Sequence, residues 1–359
     1  MKKLFILLLV SLLVVGCSAT NNGNNNGGDG EETVKVALLI GNLGDLSFND
    51  SAHEGVTRAE EEIDGVDVSV IEYGDDPTKY EPALIEAAEA GYDMILASST
   101  LQEVFETNAE QYPDTTFVLF DSEVDYATGG YENIYSIVYK ANEGSYLGGY
   151  LMASLSDTGV IGFLGGMDQP IISDFLVGFI QGAQAANPDV KVTTAYVGAW
   201  NDSAKGKELS LGMFNQNASS IFQVAGGSGI GAIEAGVDRS KDILGVDSDQ
   251  SVAFEAEGNT AFADVIVTSV LKNVGDSLYR AIDLFVKGEL NVGATDSLGL
   301  AENGVGLAIN SYYEAKVNEE LRAELQDMNE KIVSGDIVVD TAYGKTTEQI
   351  NQIRDAVRP

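Results

Sequence analysis

The sequence predicts an α/β protein of two lobes, each built on a parallel sheet. Three observations carry this. Short apolar runs rich in β-branched residues alternate with helical patterns of about 10–15 residues, the signature of βαβ units. The alternation runs from residue 34 to 156 and then starts again at 160. Residues 33–359 are also a long stretch for one core and a comfortable one for two.

The first strand is expected at 34–40 (VKVALLI), whose uninterrupted apolar run suits a strand buried on both faces. A helix is expected at 51–63 and a strand at 68–73. Residues 77–90 read as a helix closed by Gly91, because glycine accepts the left-handed position that ends a helix. Strands at 94–97, 116–120 and 134–139 and helices at 101–111 and 141–156 complete the first half. The second half reads as strand 160–166, helix 173–186 ended by Asn187-Pro188, strand 190–197, helix 204–215, strand 220–224, helix 229–237 and strand 242–246. Ligands of such folds bind beyond the carboxyl ends of the strands. That rule marks 41–49, 98–101, 121–122, 165–175, 198–203, 225–229 and 247–250.

Lys2 and Lys3 precede an uncharged, almost wholly apolar run at 4–15, then Gly16 and Cys17. This is the layout of a secretory signal. At 12 residues the run falls short of the roughly 20 that span a bilayer as a helix. Cys17 is the only cysteine, so no intrachain disulfide is possible. The segment is similar to the lipobox of bacterial lipoproteins, which implies residues 1–17 as signal and lipobox, with Cys17 lipidated. An ordinary signal with an incidental cysteine, or a short anchor, are the alternatives. Residues 18–32 hold five Asn, four Gly and two Glu with no aromatic or long aliphatic side chain, and read as a disordered tether.

Twenty basic residues against 56 acidic ones give a net charge of −36, a field that repels nucleic acid and anionic surfaces. The only histidine, His53, reads as a helix-surface residue; with one histidine, His-rich metal sites are excluded and a Ser-His-Asp triad is improbable. Neither a nucleophile beside a base nor carboxylates at metal-ligand spacing occur, so the chain reads as no enzyme, with no cofactor.

The strand ends hold the candidates. In GNLGDLSFN, Phe48 either staples the following helix or meets a ligand, and Asn49 either caps that helix or does the same. Trp200, the only tryptophan, sits in a strand-to-helix loop, as a core residue or as a platform for a flat ligand. Gly227, Gly229 and Ala232 mimic G-x-G-x-x-A, with Asp247 following 20 residues after Gly227. In the second half of an exported chain that pattern does not argue for a dinucleotide; it equally suits any group seated on a helix N-terminus. Asp247 can accept two hydrogen bonds from a vicinal diol or form a turn, and Asp249 a helix cap. Lys272 is either a surface lysine or part of the site.

Val36 to Glu61 (VALLIGNLGDLSFNDSAHEGVTRAEE), GFIQGAQAANP, GAWNDSAKGKELSLGMFNQNASSIFQVAGGSGIGAIEAG and GVDSDQ resemble the basic membrane protein family. Its members are substrate-binding lipoproteins of ABC importers related to PnrA-like purine nucleoside receptors. The resemblance implies a type I periplasmic-binding-protein fold, two Rossmann-like lobes with parallel sheets joined by three crossover segments. Residues 33–142 and 271–300 would form lobe 1, and 143–270 and 301–359 lobe 2. It further implies a monomer on the outer face of the cell membrane, held by its lipid, that captures guanosine, inosine or adenosine for a permease. By motif, Phe48 and Trp200 would sandwich the base, Asn49 and Asp121 would read its polar edge, and Asp247 would hold the ribose. Gly227 and Lys272 would complete the sugar site, with Phe175 lining the pocket. Trp200 stands where the best-known relative has a phenylalanine. Some members bind other flat ligands such as riboflavin, and sugar receptors share the fold, so a receptor for another small ligand is the alternative.

Overall fold

The structure is a computed structural model that describes residues 33–359. The signal segment, Cys17 and the 18–32 tether lie outside the described residues. In chain order the elements of the first half are β1 (Val34–Ile40), α1 (Phe48–Glu62), β2 (Val66–Glu72), α2 (Tyr80–Glu89), β3 (Met94–Ser98), α3 (Gln102–Asn108), β4 (Thr116–Phe120) and β5 (Ile134–Tyr139). Then follow α4 (Ala141–Leu155), β6 (Val160–Gly165), α5 (Pro170–Ala186), β7 (Lys191–Tyr196), α6 (Ser203–Asn215), β8 (Ser220–Val224), α7 (Ile230–Arg239) and β9 (Asp242–Asp247). The remainder is α8 (Gln250–Ala256), α9 (Thr260–Val265), β10 (Ile266–Lys272), α10 (Val274–Val286), β11 (Thr295–Leu298), β12 (Val305–Leu307), α11 (Ser311–Lys316), α12 (Glu319–Ser334) and α13 (Thr347–Ala356).

These strands form two six-stranded sheets with the same internal order, β11-β5-β4-β3-β1-β2 and β12-β10-β9-β8-β6-β7. Every pairing is parallel except β12 against β10. The chain crosses between sheets after β5, after β10 and between β11 and β12. Parallel sheets need both faces covered. On β1, Val36, Leu38 and Ile40 enter the large core that runs through both lobes, while Ala37 and Leu39 enter a separate core on the other face of lobe 1. The fully buried β3 and β8 explain why these strands read as unbroken apolar runs.

Two helix contacts hold the halves of the frame. Gly55 of α1 meets Gly275 of α10, fastening the returning chain to lobe 1. In lobe 2, α4 and α5 approach at glycines: a Cβ at Gly182 would run into the Tyr146 carbonyl oxygen, and one at Gly149 into that of Phe179. Among the described residues, no helix is long and apolar enough to cross a membrane.

Several boundaries move. The helix expected at 173–186 starts at Pro170, whose fixed φ suits a first helical turn. The expected 101–111 helix is α3 flanked by 3₁₀ turns, and 77–79 is likewise a 3₁₀ turn before α2. Helices α8 and α9 fill a stretch for which the sequence analysis names no element; Asp249 caps α8, accepting from the Val252 N–H, while α9 has no side-chain cap.

Gly182→Ala should lower the free energy of unfolding by about 1–3 kcal/mol, the usual range for overpacking. Gly212→Ala in α6, where a Cβ meets open space, should instead raise it by about 0.5–1 kcal/mol. Urea denaturation of both variants checks the contrast.

Candidate functional site

The site lies where the carboxyl ends of both sheets face each other. Because the two sheets share one strand order, corresponding loops from each half meet there. Asp121 follows β4 and Asp247 ends β9, which hold the same place in their sheets; Tyr139 and Lys272 end the corresponding β5 and β10. Asp121 and Asp247 both adopt a left-handed backbone, each with φ 65°. Aspartate tolerates that region better than most residues, yet it persists only where the surroundings enforce it.

The enforcing group is Lys272. Its Nζ donates to Asp121 Oδ1 at 2.9 Å and Oδ2 at 3.0 Å and lies 3.9 Å from Asp247 Oδ1. All three side chains are buried. The ammonium also stands 5.0 Å from the ring centres of Phe48 and Phe175 and 5.7 Å from that of Tyr139. Burial pushes the carboxyls of Asp121 and Asp247 upward, and the Lys272 charge pulls both back. Ser47 Oγ donates to Asp247 Oδ2 at 2.7 Å, a bond from lobe 1 to lobe 2. Lys272 is thus no surface lysine.

Phe48 opens α1, which starts three residues before the expected 51. Asn49 is therefore inside the helix and does not cap it; Ser47 holds the cap position without a side-chain bond. Asp45 does the capping, accepting from the N–H groups of Ser47 (3.0 Å), Asn49 (3.0 Å) and Asp50 (3.2 Å). Asp50 in turn accepts from Gly44 and Leu46, both at 2.8 Å. Burial raises the Asp45 carboxyl to about 6, against the lowering effect of its N–H donors. Phe48 does not staple α1, of which it is the first residue; its ring packs 5.6 Å from Phe120 of β4 and lines the cleft.

The cleft has a volume of about 140 Å³. Phe48, Asn49, Asp121, Phe175, Trp200, Gly227, Asp247 and Lys272 all line it. Trp200 has space there because Gly166 has no side chain: a Cβ would strike the indole. The turn at Gly226, with φ 54°, brings Gly227 beside the Trp200 carbonyl and the Asn201 amide. Gln169, Asn201 and residues 98–100 also line the cleft; each lies within a window the strand-end rule marks, though the sequence suggests no individual role for it. Tyr73, Asp75 and Tyr80 were missed outright; Tyr73 and Tyr80 stack edge to face at 4.9 Å on the lobe 1 rim. The end of β2 was their one available signal. Among the described lining residues Lys272 is the single cation against four carboxylates, Asp45, Asp75, Asp121 and Asp247. The arrangement can stack a flat ring, accept hydrogen bonds from hydroxyls and disfavour an anion.

The family model described as ABC transporter substrate-binding protein PnrA-like matches residues 33–339. The chain belongs to this Bmp family. It is 33% identical over 320 residues to basic membrane protein A of Borreliella burgdorferi, covering 86% of this chain and 88% of that one. It is 29% identical to the CD4+ T-cell-stimulating antigen of Listeria monocytogenes, covering 86% and 87%. Among solved structures, a solute-binding protein of an ABC transporter system from Aeropyrum pernix K1 superposes with a TM-score of 0.79 at 26% identity, covering 90% of this chain and 97% of that one. The Bmp chain described here is therefore a substrate-binding protein of an ABC transporter with a type I periplasmic-binding fold, and not an enzyme. Proteins of this class bind small ligands outside the cytoplasm and pair with permeases.

Lys272→Ala leaves two buried carboxylates without their cation and should lower stability by about 3–5 kcal/mol, whereas the exposed Lys331→Ala should leave it nearly unchanged. Chemical denaturation of both variants reads the difference. For Asp45, a folded value near 6 against 3.8 means that ionisation opposes folding. Its contribution is complete below 3.8 and is lost as the pH rises to about 6. The stability advantage of wild type over Asp45→Asn should therefore shrink across that window and stay level above it; melting curves from pH 4 to 7 that run parallel would contradict the assignment.

Proposed function

We propose that this protein captures purine nucleosides and delivers them to its permease, as a monomer anchored to the outer face of the cell membrane through Cys17. The observation that carries the reading is that the eight residues marked by the family resemblance line one cleft, with one aromatic platform from each lobe, Phe48 and Trp200. Stacking of a base on an aromatic contributes about 1–3 kcal/mol and tolerates any base, so selectivity falls to the polar groups.

Asp247 is the ribose acceptor in this reading. One of its oxygens is held by Ser47, which orients the carboxylate and leaves lone pairs for a diol. Asp121 accepts from Lys272 through both oxygens, so two of about four lone-pair sites remain to take an N–H from the base edge, beside Asn49. Lys272 then acts on the ligand mainly through the two aspartates, with Gly227 and Phe175 shaping the wall. The four carboxylates favour an uncharged nucleoside over a phosphorylated one.

Calorimetry with guanosine, inosine, adenosine and guanine tests this. Wild type should bind the nucleosides and prefer guanosine to guanine; Asp247→Ala should erase that preference, and Trp200→Ala should weaken every ligand roughly 5- to 150-fold. Absence of binding to any purine nucleoside, or release of a flavin or sugar from the denatured protein, would overturn the assignment.

A further inference from the structure

Leu46 is the unexplained residue of the cleft loop. It is bulky, yet its backbone is left-handed with φ 47°. It is not among the cleft-lining residues, so a ligand contact does not account for the strain. Its amide is tied within lobe 1 to Asp50 at 2.8 Å. Everything else about it points to lobe 2. Its carbonyl oxygen accepts from Ser248 Oγ at 2.9 Å and from Gln250 Nε2 at 3.2 Å, both just beyond β9. Its side chain is half-buried against the outer core of lobe 2, the cluster that includes Leu164, Phe254 and Ile266. The neighbouring Ser47 reaches across to Asp247.

We infer that residues 45–50 are the catch of lobe closure and that Leu46 is its positioning residue. A left-handed conformation at a bulky residue survives only where surrounding structure over-determines it. Half of those surroundings are internal, the Asp45 and Asp50 carboxylates that knit the loop into a rigid knuckle. The other half exist only when lobe 2 is in place. The same knuckle carries Phe48 and Asn49 into the cleft. A ligand that orders Phe48 and Asn49 therefore also sets Leu46 and Ser47 for lobe 2, and a seated Leu46 holds the cleft shut over the ligand. Affinity and residence time then depend on a residue that never touches the ligand, through the fraction of molecules in the closed state.

Trp200, the only tryptophan, lines the cleft and reports on both ligand and closure. In the purified full chain, Leu46→Ala should raise the guanosine Kd on the order of tenfold, through faster dissociation at an unchanged association rate. This arm rests on the nucleoside reading. A second arm does not: without ligand, acrylamide should quench Trp200 more strongly in Leu46→Ala than in wild type, because an unlatched cleft opens more often. Ser248→Ala, which removes one donor to the Leu46 carbonyl on the lobe 2 side, should move both readouts in the same direction by a smaller step. It also serves if Leu46→Ala fails to fold. Wild-type quenching and wild-type dissociation in both variants would overturn the catch. Altered quenching without any guanosine binding in wild type would keep the catch and overturn only the nucleoside.

Discussion

The contact on which the site depends is the buried ammonium of Lys272 between Asp121 and Asp247. Each of these groups is expensive to bury alone, and a buried ion is tolerable only when paired and hydrogen-bonded. Here one cation answers two carboxylates that come from equivalent strand ends of the two sheets. Ser47 adds a neutral donor to the second carboxylate. The cluster sits where β10 hands the chain back to lobe 1, so the charge balance of the cleft floor and the joint between lobes are one structure. Two aspartates with left-handed backbones are maintained there because leaving would strand a charge.

That floor explains how the rest of the cleft is divided. In the proposed reading the aromatic groups would supply broad, undirected affinity, and directional chemistry would be left to carboxylates whose orientation is already set. A preorganised acceptor loses little on binding a hydroxyl, and a ligand without that hydroxyl leaves the acceptor unpaired. The negative excess of the lining acts against anionic ligands before any contact is made. In a substrate-binding protein the result of binding is a change in lobe position, not a reaction. The interlobe bonds of Leu46 and Ser47 are therefore as much part of the function as the residues that face the ligand.

Much of this was legible before any coordinates. The strand ends are marked by short apolar runs stopping at Gly41, Asp121, Gly198 and Asp247, and the windows beyond them hold seven of the eight candidate residues that line the cleft; the place of Lys272 in the site came only from the family resemblance. The errors have local causes. The start of α1 was placed too late because Ser47-Phe48-Asn49 carries a standard capping residue, while the capping in fact comes from Asp45, two residues before Ser47. Tyr73 and Tyr80 were missed because aromatic residues beside an edge strand are common in cores, and nothing in their spacing distinguishes a rim from an interior.

The sequence by itself determined the fold class, the two-fold repetition of βαβ units and the windows in which a ligand would be met, because these follow from hydrophobic period and from where strands stop. Only the tertiary structure decided the partnerships. Asp121 and Lys272 are 151 positions apart and Ser47 and Asp247 are 200 apart, so no local pattern could pair them. Whether Lys272 lies on the surface or in the floor, and whether Leu46 is an exposed loop residue or a peg in the opposite lobe, depends on how the two sheets face each other. That is settled by packing across the cleft, where burial turns a common lysine and a common leucine into the residues that hold it together.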